Sequence, residues 1–143
     1  MNPPSYHPPP IGDFESPQLE AVVEVMFLAA FADGDFGEEE RVHFLKSIES
    51  LTDRTLSGET LGHLVTRIQG EALAEGRAKR LASIKERLTD PGARKAALAL
   101  AIQLTAADGI IRTTERELIL EAADALEISR DVAADLVAAI APK

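Results

Sequence analysis

Cysteine is absent from the chain, which excludes a disulfide framework, a thiolate metal site and a cysteine nucleophile. Aromatic residues are scarce, at 4% of 143 positions, while alanine is abundant. A sheet would use more β-branched and aromatic side chains, so the balance favours closely packed helices. Basic residues are outnumbered: 15 Lys and Arg stand against 24 Asp and Glu, a formal net charge of −9. That excess opposes nonspecific attraction to nucleic acid or anionic lipid. The longest apolar run, AALALAIQLTAA from Ala96 to Ala107, is too short to span a bilayer. Near the start there are prolines where a secretory signal needs a basic and then an apolar stretch. These absences predict a cytoplasmic protein without nucleic-acid partners or direct membrane insertion. At this length one domain is expected.

What the chain does contain is one phrase written twice. Residues 29–45 read AAFADGDFGEEERVHFL and residues 104–120 read LTAADGIIRTTERELIL, superimposable by a shift of 75. Under that shift Ala32, Asp33, Gly34, Glu40, Arg41 and Leu45 match Ala107, Asp108, Gly109, Glu115, Arg116 and Leu120. Each copy is an apolar helix ending in Ala-Asp-Gly, a short corner, and a second helix with an acidic opening turn.

Residues 1–15 hold five of the eight prolines and no apolar periodicity, and read as a disordered leader. The remainder, 16–143, reads as a single helical domain. Ser16 as N-cap with Pro17 behind it opens the first helix, with Leu19, Val22, Val23, Met26, Phe27 and Ala30 as its apolar stripe. A second helix over 38–51 is expected to bury Val42, Leu45, Ile48 and Leu51. Further helices are predicted over 60–74, 77–88 and 93–107, the last apolar on nearly every face and therefore central. Thr114 and Glu117 propose a capping box for a sixth helix ending near Leu126, and Ser129 caps a seventh. No stretch alternates with period two, so the fold class is all-α, with about seven helices.

Charge is unevenly placed along this sequence. Residues 1–59 carry twelve acids against three bases, whereas residues 60–95 carry eight bases against four acids. The basic stretch is either a solvated helix face or a docking surface for an acidic partner. It lacks aromatic residues for base stacking, which argues against RNA or DNA.

Two readings of the repeated corner stay open at this level. Asp33, Asp35, Glu38, Glu39 and Glu40 place five carboxylates within eight residues, and Asp108, Glu115 and Glu117 echo them. Hard divalent cations take several oxygen ligands, and crowded carboxylates repel without a cation between them. The spacing copies the back half of a calcium loop. The places of its first two ligands, however, hold Ala29 and Phe31, or Leu104 and Ala106, so an EF-hand is excluded. Alternatively the glycines end helices in the left-handed conformation, the aspartates bond turn N–H groups, and the glutamates offset helix dipoles. Arg41 and Arg116 would then pair with Asp33 and Asp108. Catalysis has little support: the lone Glu40-x-x-His43 has Glu115-x-x-Leu118 as its counterpart, no serine has a base at recognisable spacing, and no phosphate-cradling glycine loop is present. No enzyme is expected.

Two alanine-rich helices ending in Ala-Asp-Gly, each followed by a helix with Glu in its first turn, resemble the tellurite-resistance TerB family and the wider TerB-like superfamily. The resemblance runs from about Ser16 to Ile140. It implies a seven-helix domain of two pseudo-symmetric bundles. It further implies a cytoplasmic, stress-related module acting through protein partners, including membrane-associated stress-response proteins, rather than through catalysis. The family's acidic metal positions would fall on Asp33, Glu40, Asp108 and Glu115, holding a divalent ion such as calcium, magnesium, manganese or zinc. Ile110 and Arg112 stand where the first copy has Asp35 and Gly37, leaving the second corner less acidic.

Overall fold

The computed structural model describes residues 16–32, 34, 37–51, 58–106 and 112–140, with backbone alone for Ser16 and Leu51. Among these residues there are seven helices and no strand: α1 (Ser16–Ala30), α2 (Glu38–Leu51), α3 (Gly58–Glu75), α4 (Arg77–Arg87), α5 (Pro91–Thr105), α6 (Thr113–Ala125) and α7 (Arg130–Ile140). The all-α expectation holds. The proline-rich leader and the segment 107–111 lie outside the described residues, as do Asp33, Asp35 and Phe36.

Local chemistry explains most boundaries. Asp90 Oδ2 accepts the Ala93 N–H at 2.9 Å, and Pro91 occupies the first helical position of α5, where its missing N–H would have had no intrahelical partner. Ser129 Oγ accepts the Val132 N–H at 3.2 Å and starts α7. Gly76 adopts φ +88°, a conformation that strains any side chain, and so separates α3 from α4. The sixth helix departs from expectation. Its N-cap is Arg112 and not Thr114, because Glu115 rather than Glu117 turns back to accept the cap N–H. A Glu–cap bond needs the carboxylate at the third helical position, and Glu117 lies two residues beyond it.

The core is built on two helices rather than one. Every residue of α1 from Ala21 to Ala29 is buried, as are Ala96 to Ile102 in α5. These two helices pack most extensively on each other. Helices α3, α4 and α6 close over α1, and α6 and α7 over α5. The small side chains of α5 (Ala96, Ala97, Ala99, Ala101) permit that close approach, and Leu98 and Ile102 of the same helix are fully buried. Burying one Leu or Ile of this kind contributes about 1.5–3 kcal/mol.

The predicted apolar face of α2 is rotated. Val42 is 41% exposed, and Phe44, at 2%, takes its place in the core alongside Ile48. The reason is aromatic packing. Phe44 meets Phe27 of α1 edge-on at 5.8 Å and Phe31 at 5.4 Å, with Phe27 and Phe31 themselves 5.0 Å apart. No described helix is long and apolar enough to cross a membrane.

Candidate functional site

The corners after α1 and α5 show the repeat as geometry. In the first, the Gly34 N–H donates to Phe31 O at 2.9 Å, and Gly34 sits at φ +82°, the left-handed conformation expected of it. Gly37 O accepts the first bond of α2 from the Arg41 N–H, at 3.0 Å. In the second corner Arg112 O accepts from the Arg116 N–H at 2.9 Å, 75 positions on. Glu40 is therefore the third residue of its helix, and so is Glu115. Both use Oε1 to accept the N-cap N–H, from Gly37 at 3.3 Å and from Arg112 at 2.8 Å. Glutamate at this position leans toward the N-terminus, satisfies an otherwise unpaired donor and sits at the positive end of the helix dipole.

The two glutamates line one cavity of about 380 Å³ between the corners. The first copy contributes Glu39, Glu40 and His43 to its polar lining, and the second contributes Thr105, Arg112 and Glu115. Phe31, Phe44 and Leu104 form its apolar wall. Thr105 is buried and donates its hydroxyl to Ile102 O at 3.1 Å.

The predicted site residues thus divide. Glu40 and Glu115 come together, while Asp33 and Asp108 lie outside the described residues. No group of three or more His, Asp or Glu suited to holding a metal ion occurs among the described residues. Glu40 and Glu115 both line the cavity, and each already uses Oε1 to accept its N-cap N–H. Arg41, expected to pair with Asp33, directs Nη2 to Gly62 O and Thr66 Oγ1 of α3, both at 3.0 Å.

A second polar constellation was not anticipated. Glu24, 1% exposed in the middle of α1, accepts Arg80 Nε at 2.6 Å and Arg80 Nη2 at 2.9 Å. Arg87 Nη2 adds a third bond at 2.6 Å. Arg80 also reaches Glu75 at 3.1 Å and Glu71 at 3.7 Å. Donation to the Glu24 carboxylate outweighs the cost of burial and holds the Arg80 guanidinium above its ordinary value. One sequence signal existed: a lone glutamate inside VVEVMF needs a buried partner.

This network belongs to a wider pattern. Of the eight bases between residues 60 and 95, Arg67, Arg77, Arg80, Lys85, Arg87 and Arg94 form ion pairs with acids of the chain itself. Arg67 meets Glu20 at 2.5 Å, Arg77 meets Glu121 at 2.9 Å and Lys85 meets Glu127 at 3.3 Å. Arg94 bonds the Leu88, Lys85 and Leu126 carbonyls and Glu127, so one guanidinium gathers the ends of α4 and α6. The basic stretch thereby answers, in large part, the acids of α1 and α6.

The family described as "Tellurite resistance protein TerB" matches residues 20–137 of the chain. No curated protein and no solved structure matches it.

Proposed function

Because the chain belongs to the TerB family and is a tellurite-resistance-associated module, we propose that it acts without catalysis, by binding a divalent ion between its two corners. The observation that carries this reading is the shared cavity, in which Glu40 and Glu115 from opposite copies of the repeat face one space. Asp33 and Asp108, next to their respective corners in sequence, are the further ligands on this proposal. Each stands directly before a glycine in the sequence. The protein works in the cytoplasm, and bound ion would be read by protein partners, including membrane-associated stress-response proteins.

Calorimetric titration of the full chain with calcium, magnesium, manganese and zinc tests the proposal. At least one ion should bind more tightly than about millimolar, roughly 4 kcal/mol. Glu40→Gln with Glu115→Gln should weaken that binding tenfold or more and remove the ion-dependent rise in Tm. Binding no tighter than millimolar for all four ions sinks it. The rival reading is an interaction scaffold whose carboxylates serve only as caps. The two cap bonds favour it, and on that reading no ion shifts the Tm.

A further inference from the structure

A second cavity, of about 310 Å³, opens where the end of α1 meets α3 and the start of α4. Phe27, Phe31, Ala72 and Leu73 give it an apolar wall, and Gln69 and Arg77 contribute an amide and a guanidinium. Leu73 is 81% exposed, the most exposed large apolar side chain among the described residues. A leucine standing out beside two phenylalanine rings makes a contiguous apolar surface, the kind that marks a contact site. Arg77 gives Nη2 to Glu121 at 2.9 Å, and a guanidinium has further N–H groups to donate.

We propose that the chain's own proline-rich leader covers this cavity. Residues 1–15, MNPPSYHPPPIGDFE, run straight into α1, and it is α1 that carries Phe27 to the cavity wall. Reach is sufficient. Phe27 lies 11 positions after Ser16, about 17 Å along the helix at 1.5 Å per residue. With the chain reversed at Gly12-Asp13, residue types that favour turns, Met1–Ile11 still span about 34 Å in the polyproline conformation. The chemistry agrees. Proline-rich segments are extended before they bind, so docking costs them little ordering entropy, and they settle in aromatic-lined grooves. Their carbonyls have no partner within the segment, and Gln69 and Arg77 carry the donors to meet them. Tyr6 and Ile11 add apolar side chains among the prolines. The tether favours the leader over any separate segment of like composition, because its effective concentration at the cavity is about millimolar. A protein partner using this face has first to displace the leader.

Tyr6 is the only tyrosine and the chain has no tryptophan, so tyrosine fluorescence reports on the leader alone. The experiment measures acrylamide quenching of Tyr6 in the full chain, in Leu73→Asp and in Val42→Asp, with the urea-unfolded chain as the fully open reference. Val42, 41% exposed on α2, does not line this cavity and controls for a charge placed at an exposed apolar position. Wild type and Val42→Asp should be quenched less than the unfolded chain, at every protein concentration. Leu73→Asp should approach the unfolded chain, because burying one leucine weights the docked state at least about tenfold. Its helical circular dichroism should stay unchanged, which separates release of the leader from unfolding. Equal quenching in wild type and in the unfolded chain overturns the proposal without any variant. So does undiminished protection in a folded Leu73→Asp. Protection that fades on dilution also overturns it, since the cavity would then hold the leader of a second copy.

Discussion

Helices α1 and α5 hold equivalent places in the repeat, yet their interiors are built on different principles. At position 24 the first has a buried glutamate clasped by Arg80 and Arg87, whereas the equivalent position 99 of the second is a buried alanine. Phe27 and Phe44, which wedge α1 against α2, become Ile102 and Ile119 between α5 and α6, all four in the core. The difference follows α4, which packs on α1 and brings the arginines with it. Duplication has preserved what the corner geometry demands, namely the glutamate at the third helical position. It has let the packing behind each corner diverge.

The largest expected effects come from exchanging these interiors. Glu24→Ala leaves two guanidinium groups facing an apolar helix and should lower the unfolding free energy by about 3–5 kcal/mol in urea denaturation. Ala99→Glu writes the first helix into the second without its partners, and should cost as much or prevent folding. Pairing Glu24→Leu with Arg80→Met should recover much of the first loss, because a matched ion pair adds little net stability over apolar packing. A loss below about 1 kcal/mol for Glu24→Ala would show that the clasp is held in water-like surroundings and that the contrast with α5 is superficial.

A smaller effect attends Arg94, whose equivalent in the first copy is Leu19. Arg94→Leu removes charged hydrogen bonds to the closing carbonyls of α4 and α6, and should cost about 1.5–3 kcal/mol by the same measurement. An unchanged stability would mean that water satisfies those carbonyls equally well.

The smallest effect is expected where the second copy carries exposed ion pairs. A hydrogen bond from Arg130 holds the Asp124 carboxyl below its ordinary value, and one from Lys85 does the same for Glu127. A lowered folded value means stability that is present above the ordinary carboxylate range and lost as pH falls through the lowered values. Asp124→Asn with Glu127→Gln should therefore lower Tm slightly at neutral pH, with the gap to wild type closing on acidification through that range. A gap that widens with acid would reverse the sign.

Much of this architecture was legible in the residues. Helix stops at Gly34 and Gly76, and starts at Asp90-Pro91 and Ser129, rest on local backbone chemistry, which sequence states directly. The repeat announced that Glu40 and Glu115 are equivalent. That they share a cavity depends on how α1 meets α5, a tertiary fact. The burial of α1 goes beyond the stripe that its apolar spacing predicts, because the partners that let Glu24 be buried lie 56 and 63 residues away. Val42 and Phe44 were interchanged for a similar reason. A helical stripe can be rotated by one residue when an aromatic cluster offers better packing than periodicity alone predicts.

The cavity between the corners also bears on assembly. A chain with a single copy of the corner could build such a space only by pairing with a second chain, so its formation would depend on protein concentration. Carrying both walls on one polypeptide removes that dependence. It also releases the walls from having to be identical, a freedom that a symmetric dimer of one sequence never has. Glycine at position 37 and arginine at the equivalent position 112 are a difference that only a fused pair can sustain.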